Sequence, residues 1–409
     1  MQTLNLTKKY EKYSEYKDSG VEWLGKIPKE WKVGKVKEVF NLLKERSFNN
    51  SESEILSLTL SGIKTRDVSN NEGQIAASYE GYRKIIKGDI VLNPMDLVRG
   101  FVDASKYEGI ISPAYSTLRK KDKKTNSQYY NYFFQKHYFE GIFHPFGNGV
   151  SVDHRWTLKD DTLVNFPILI ISPEQQTKIA DYIDDKTIMI EEIIEKKEKQ
   201  IELLKEEIVS IAMNEQIKGK GKIIRIKNLF KLSENPINIE DYSEYTALGL
   251  YNRGRGLFHK DFQLGKDIKE SDFYKVISRD LIISGQFAWE GAVAFAGEDE
   301  SGCVVSHRYY LLRDGIVKTE YLLALLMTKF GDHILNESSR GSAGRNKPLN
   351  IKILLLEKIR VPSKDIEEKI ESLLIKMNLV RKNIKTSIKL LEEYKFSLIS
   401  NVVTGKVKV

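Results

Sequence analysis

The chain has 409 residues, 41% of them hydrophobic, which leaves room for two or three domains with substantial cores. No apolar run approaches the roughly 18 residues a membrane span needs, and the polar start MQTLNLTKKY is unlike a signal peptide, so a soluble cytoplasmic protein is expected. One cysteine, Cys303, excludes internal disulfides and cysteine-paired zinc, six scattered histidines offer no ligand spacing, and a net charge of +8 suits a polyanion without requiring one.

In chain order, the arm YKDSGVEWLGKIPKEWKVGKV (16–36) sets Trp23 and Trp31 in a polar segment, where packing anchors are expected. Runs rich in Val, Ile and Leu at 85–92 and 276–283, bounded by Gly, Asp and Ser, read as strands. The segments 126–143 and 319–335 read as helices. After them come FGNGVSVDHRW (146–156) and SSRGSAGRNKPLN (338–350), loops in which glycine lets the backbone approach a ligand while Arg, Asn and His supply donors. Each leads into a short apolar strand and then a long helix.

The first long helix spans 172–216. Ser172 caps it, Pro173 takes the first helical position and Gln175 sits three residues after the cap. Ile183, Ile190, Ile194, Ile201, Leu204, Ile208 and Ile211 form one seam, broken by Lys197. At about 1.5 Å per residue the rod is roughly 65 Å long and needs a partner. From Ile366 a second seam runs through Ile370, Leu373, Met377, Val380, Ile384, Leu391, Tyr394 and Leu398, with Ser387 on its line. Ser363 caps it, and Asp365, Glu367 and Glu368 suit the helix dipole. An intramolecular antiparallel coiled coil is expected, against a homodimer of rods or helices packed separately.

The chain repeats itself. VGKVKEVF from Val33 matches IIRIKNLF from Ile223, and SLTLSGIKTRDV from Ser57 matches ALGLYNRGRGLF from Ala247, both at an offset of 190. YRKIIKGDIVL from Tyr82 matches FYKVISRDLII from Phe273, and ISPAYSTLR from Ile111 matches VSHRYYLLR from Val305. The helix entries ending at Pro173 and Pro362 and the helix ends NEQIKGK and NVVTGK return at similar spacing. The expected architecture is a pseudo-two-fold tandem of α/β (α+β) domains, each followed by a long helix: 1–171, 172–218, 219–361 and 362–409.

The arm 16–25 with Ile27, Pro28 and Trp31, the strand KGDIVLNPMD (87–96), GIISPAY (109–115), the helix entry SPEQQTKIADYID and the C-terminal SLISNVVTGKVKV together resemble the DNA-specificity subunits of type I restriction-modification enzymes. The resemblance covers nearly the whole chain; in the second half VPSKDIEEKIE stands in place of the usual Pro-rich, Gln-Gln helix entry. It implies a non-catalytic subunit with two target-recognition domains, each reading half of a bipartite, asymmetric site in double-stranded DNA. It further implies two methyltransferase subunits that modify adenine with S-adenosylmethionine, and restriction subunits using ATP and Mg, with no cofactor in this chain.

Candidate DNA contacts follow from side-chain chemistry, since Arg, Asn and Gln pair bidentately with base edges and Lys meets phosphate. In the first domain they are Lys64, Arg66, Arg99, Asn148, His154 and Arg155; in the second, Arg253, Arg255, Gln286, Arg308, Arg340, Arg345, Asn346 and Lys347. An intrinsic methyltransferase is the enzymatic rival, but Asn93-Pro94-Met95-Asp96 lacks the second proline and the aromatic face that hold a flipped adenine. FGNG is a poor cofactor loop, and no phosphate-binding G-x-x-x-x-G-K-[ST] exists. The structural rival is a coiled-coil scaffold, or a DNA-binding protein outside a restriction complex.

Overall fold

A computed structural model describes residues 11–47, 54–66, 78–97, 101–148, 156–233, 236–252, 255–268, 272–339 and 347–409. The chain forms two compact units: Met1–Ile194 with Ile388–Val409, and Glu195–Ser387.

The first unit opens with an arm hairpin of β1 (Tyr16–Asp18) and β2 (Lys26–Pro28), then β3 (Lys32–Lys35), one turn of helix α1 (Val36–Val39) and β4 (Phe40–Leu42). A hairpin of β5 (Leu56–Thr59) and β6 (Gly62–Thr65) precedes β7 (Arg83–Ile85), β8 (Ile90–Leu92), β9 (Val102–Ala104), β10 (Gly109–Ile111) and β11 (Ser116–Lys120). Helices α2 (Ser127–Phe139) and α3 (Asp160–Asn165), strand β12 (Pro167–Ile170) and the long helix α4 (Pro173–Lys218) follow. An antiparallel sheet in the order β4-β11-β8-β9 is the centre, and β12 returns to pair with β3 at the foot of α4.

Asn126 caps α2 by accepting from the Gln128 and Tyr129 amides, and Tyr129, Tyr130, Phe133 and Phe134 are buried from it into the core. Trp31 is buried and Trp23 stacks on Phe166 at 5.2 Å, so both arm tryptophans are packing anchors. His137 lies against Trp23, Phe133, Phe143 and Phe166, where burial pushes its imidazole down to about 3. Its Nδ1–H donates to the Phe133 carbonyl.

The second unit repeats this plan. Strand β13 (Ile223–Arg225) is followed by β14 (Phe230–Ser233), β15 (Glu244–Tyr245), β16 (Leu248–Leu250), β17 (Leu257–His259) and β18 (Gln263–Leu264). Next come β19 (Phe273–Lys275), β20 (Leu281–Ser284), β21 (Val293–Phe295), β22 (Val304–Ser306) and β23 (Tyr309–Asp314). Helices α5 (Thr319–Leu326), α6 (Lys329–Glu337) and α7 (Ile351–Leu354), strand β24 (Lys358–Arg360) and the last helix α8 (Lys364–Val403) complete it. The central sheet runs β14-β23-β20-β21, the same order as in the first unit, and β24 pairs with β13 as β12 does with β3.

Two sequence expectations are corrected. The runs 85–92 and 276–283 each contain a tight turn rather than one strand. Gly88 and Arg279 have φ of +88° and +76°, and the following Asp89 and Asp280 accept from the Ile86 and Ile277 amides, closing the turn. The helix expected over 319–335 is two helices, because the Thr328 hydroxyl accepts from the Gly331 amide and starts α6 afresh. A Cβ on Gly331 would stand 2.3 Å from the Leu326 Cα, so this close packing needs glycine.

Ser172 serves as the start of α4: its hydroxyl accepts from the Gln175 amide and its carbonyl from the Gln176 amide. Within the first unit, Ile179 and Ile183 share a core with Leu398, Ile399 and Val402, and Lys395 pairs with Glu191 at 3.1 Å. In the second unit Leu204, Ile208 and Ala212 share a core with Ile370, Leu374 and Met377, and Glu215 accepts from the Ser363 amide. In each unit, then, α4 and α8 run antiparallel and bury the apolar positions of a heptad pattern. Among the described residues no helix is long and apolar enough to cross a membrane.

Candidate nucleic-acid interface

Each central sheet holds one buried carboxylate beneath its turn. Asp89 is paired with Arg119 at 2.6 Å and Asp280 with Arg313 at 2.8 Å, from equivalent strands. Both aspartates are buried, while the arginine side chains are about a third exposed, so each pair pins β8 to β11 or β20 to β23 and leaves the turn after the central strand in a fixed place.

That second turn is where the two units present polar groups. In the first, Asn93 accepts from the Met95 amide at 3.0 Å, and the Pro94 carbonyl accepts from the Leu158 amide at 2.8 Å. In the second, Ser284 accepts from the Gln286 and Phe287 amides, and the Gly285 carbonyl accepts from the Leu349 amide at 2.7 Å. Leu158 and Leu349 lie on the far side of the two glycine-rich loops, whose stems close through the bridges Asn148–Thr157 and Ser339–Leu349. The same staple thus fastens the glycine-rich loop to the same sheet turn twice. Of the candidate contacts, Arg99, His154, Arg155, Arg253, Arg340, Arg345 and Asn346 lie outside the described residues.

The described candidates fall into two groups. In the first unit Lys64 is exposed on β6 and Arg66 is half-buried beyond it, on a hairpin tied to the sheet by the Ile63 amide donating to Asp103, whereas Asn148 is exposed at the loop stem. In the second unit the structure brings four together. Gln286 and Arg308 are exposed, and the Arg308 carbonyl accepts from Gly285 at 2.7 Å. Lys347 sits over the Trp289 ring at 5.3 Å, and Arg255 lies over Tyr251 at 5.4 Å. Asn252, beside Tyr251, donates to Glu290, joining the β16–β17 hairpin tip to the turn.

Sequence reasoning passed over three participants. Met95, 42% exposed, read as part of the strand 87–96, and Phe287, 45% exposed on the equivalent turn, was not singled out. Glu290 was not marked, although its place in the AWEG turn is set by Gly291, which has φ of +70°. Chemically, the described residues of this surface offer an amide suited to adenine, guanidinium groups suited to guanine or phosphate, an ammonium and aromatic faces, beside the Glu290 carboxylate.

Residues 28–203 match the family described as Type I restriction modification DNA specificity domain. No curated protein matches the chain. Among solved structures, a chain from work on complex assembly and conformational transition of the type I R-M system is similar at 10% identity with a TM-score of 0.59, covering 92% of this chain and 98% of that one. The HsdS subunit from Thermoanaerobacter tengcongensis is 12% identical with a TM-score of 0.46, covering 93% and 98%, and the type I S subunit from M. genitalium is 11% identical with a TM-score of 0.43, covering 91% and 96%. At 10% identity the first of these likenesses is one of fold. The family match thus lies on residues 28–203, and the second unit repeats the sheet order of the first.

Proposed function

We propose that this chain is the non-catalytic, sequence-specific DNA-binding subunit of a type I restriction-modification complex, with each unit reading one half of a bipartite, asymmetric site. The observation that carries the reading is the repeated device: two sheets of one strand order, each fastening a glycine-rich, basic loop to the turn after its central strand. Different side chains on one scaffold suit two different half-sites. The companions are two methyltransferase subunits that use S-adenosylmethionine on adenine, and restriction subunits that use ATP and Mg.

A gel-shift salt titration tests the DNA reading. Affinity should fall steeply, with a log-log slope of roughly one per phosphate neutralised. Salt-independent or absent binding favours the scaffold alternative. Incubating the purified chain with labelled S-adenosylmethionine and site-bearing DNA tests its lack of catalysis; methyl transfer without added subunits contradicts the proposal. A ruler role for the paired helices predicts that about four residues added in register to both α4 and α8 lengthen the recognised gap by one or two base pairs while both half-sites stay the same.

A further inference from the structure

The turn after β20 is rigid in its backbone and exposed at Gln286 and Phe287. Ser284 holds the Gln286 and Phe287 amides, the Phe287 carbonyl accepts from the Glu290 and Ala292 amides at 3.0 and 3.2 Å, and Ala288 is fully buried beneath it. Gly291 closes the turn in the left-handed region and the Leu349 amide ties it from outside. On this fixed support the Phe287 ring is 45% exposed. An exposed aromatic ring on a mobile loop would be unremarkable. Here, among the described residues, the ring is held on a fixed turn and left nearly half exposed, which is the arrangement a recognition group requires.

What surrounds the ring decides what covers it. Gln286 precedes it, the exposed Arg308 is bonded through its carbonyl to Gly285, and Lys347 and Trp289 flank the turn. Asn252 joins the hairpin tip bearing Tyr251 and Arg255 to the same turn through Glu290. Among the described residues the turn and the hairpin joined to it carry Lys347 and Arg255 on aromatic faces beside Glu290, which favours a polyanion over an apolar protein groove and suits an exposed ring that meets bases while its neighbours meet phosphates.

We propose that Phe287 is a specificity-determining residue of the second unit that packs its ring against a base step of the bound duplex, so that one half-site is selected partly by how readily that step unstacks. This rests on the DNA-reading function above and deepens it. Pyrimidine–purine steps unstack most easily, so a TA or CA/TG step is expected opposite the ring. Gln286, adjoining it, would read the neighbouring base edge.

The test selects from a randomised double-stranded DNA library with the full chain and with Phe287→Ala, then sequences the bound fraction. The wild-type chain should return a two-part motif. Phe287→Ala should keep one part, lose the preference at a single step of the other, and bind the recovered duplex about tenfold to a hundredfold more weakly. Phe287→Trp, which keeps an aromatic face, should retain the step preference, separating ring chemistry from any effect on folding. With 2-aminopurine at the selected step, fluorescence should rise on binding the wild-type chain and not on binding Phe287→Ala. An unchanged motif and affinity for Phe287→Ala overturns the inference while leaving the DNA-binding function intact. Loss of assembly with methyltransferase subunits, with the motif unchanged, also overturns it and assigns the ring to a protein contact. A wild-type chain that returns no motif overturns the functional reading and this inference together.

Discussion

The two units differ most informatively at one position of the repeat. The tight turn before the central strand needs a left-handed residue, and the first unit uses Gly88 where the second uses Arg279. A non-glycine residue there costs roughly 1–2 kcal/mol. The second unit offsets that cost: the Arg279 guanidinium reaches Glu371 of α8 at 2.6 Å, Glu320 at 2.8 Å and Asp314 at 3.5 Å, and Lys318 joins Glu371 as well. Partial burial pulls the Arg279 pKa down, but these carboxylates outweigh it and push it up. The first unit holds its domain to α4 with hydrogen bonds from uncharged side chains and backbone instead. The Asn126 amide donates to Gln176 and its side chain to Thr177, while Gln128 donates to Asp184 at 3.2 Å. One fold has thus been fastened to its helices once by hydrogen bonds and once by charge.

The largest effect should be common to both units. Asp89→Ala and Asp280→Ala each strand an arginine and unpin a turn, and each should cost about 2–4 kcal/mol, read as loss of local hydrogen-exchange protection in that unit. A large cost in one unit only would break the structural equivalence.

Acid should separate them next. The buried His137 stays neutral in the folded first unit, whereas the unfolded chain protonates near 6.5. Its contribution is complete above pH 6.5 and is lost as pH falls toward about 3, by at most about 1.4 kcal/mol per pH unit. His137→Phe should flatten that slope in protection measured across the first unit, with no change in the second.

Salt should act the other way. Arg279→Gly removes both the strain and the clamp, and because the side chain is 38% exposed a net loss of only about 1 kcal/mol is expected at low salt. The loss should shrink at high salt. Gly88→Ala gains no clamp and should cost about 1–2 kcal/mol whatever the salt. A salt-independent Arg279→Gly loss would contradict the electrostatic account.

The smallest effect concerns Glu371, whose carboxyl the Lys318 hydrogen bond, then that of Arg279, hold below its usual 4.5. Its stabilisation is present above pH 4.5 and fades as pH falls through the lower folded value, so wild type and Glu371→Gln should converge in strong acid.

Much of the architecture was legible because it rests on local chemistry repeated over long stretches. The Ser172–Pro173 start, the heptad spacing from Ile183 to Ile211 and the paired segments VGKVKEVF and IIRIKNLF each carry their meaning in residue type and interval. The turns at Gly88 and Arg279 were hidden because the flanking residues are uniformly apolar, and an arginine gives no warning of a left-handed backbone. The break at Thr328 was hidden because no proline stands there and the cap depends on a single hydroxyl. Among candidate contacts, residue chemistry could nominate Gln286, Arg308 and Lys347, but their convergence depends on Gly285, which bonds to both Arg308 and Leu349. Phe287 escaped notice because an exposed ring and a core ring look alike in sequence.

The central claim is that two repeated sheets read two unlike DNA segments. Methylome sequencing of a host carrying this chain together with a methyltransferase subunit tests it most directly. Adenine methylation should fall in a motif of two unlike specified segments separated by a fixed gap of unspecified bases. A single uninterrupted motif, or a perfect palindrome, would contradict it.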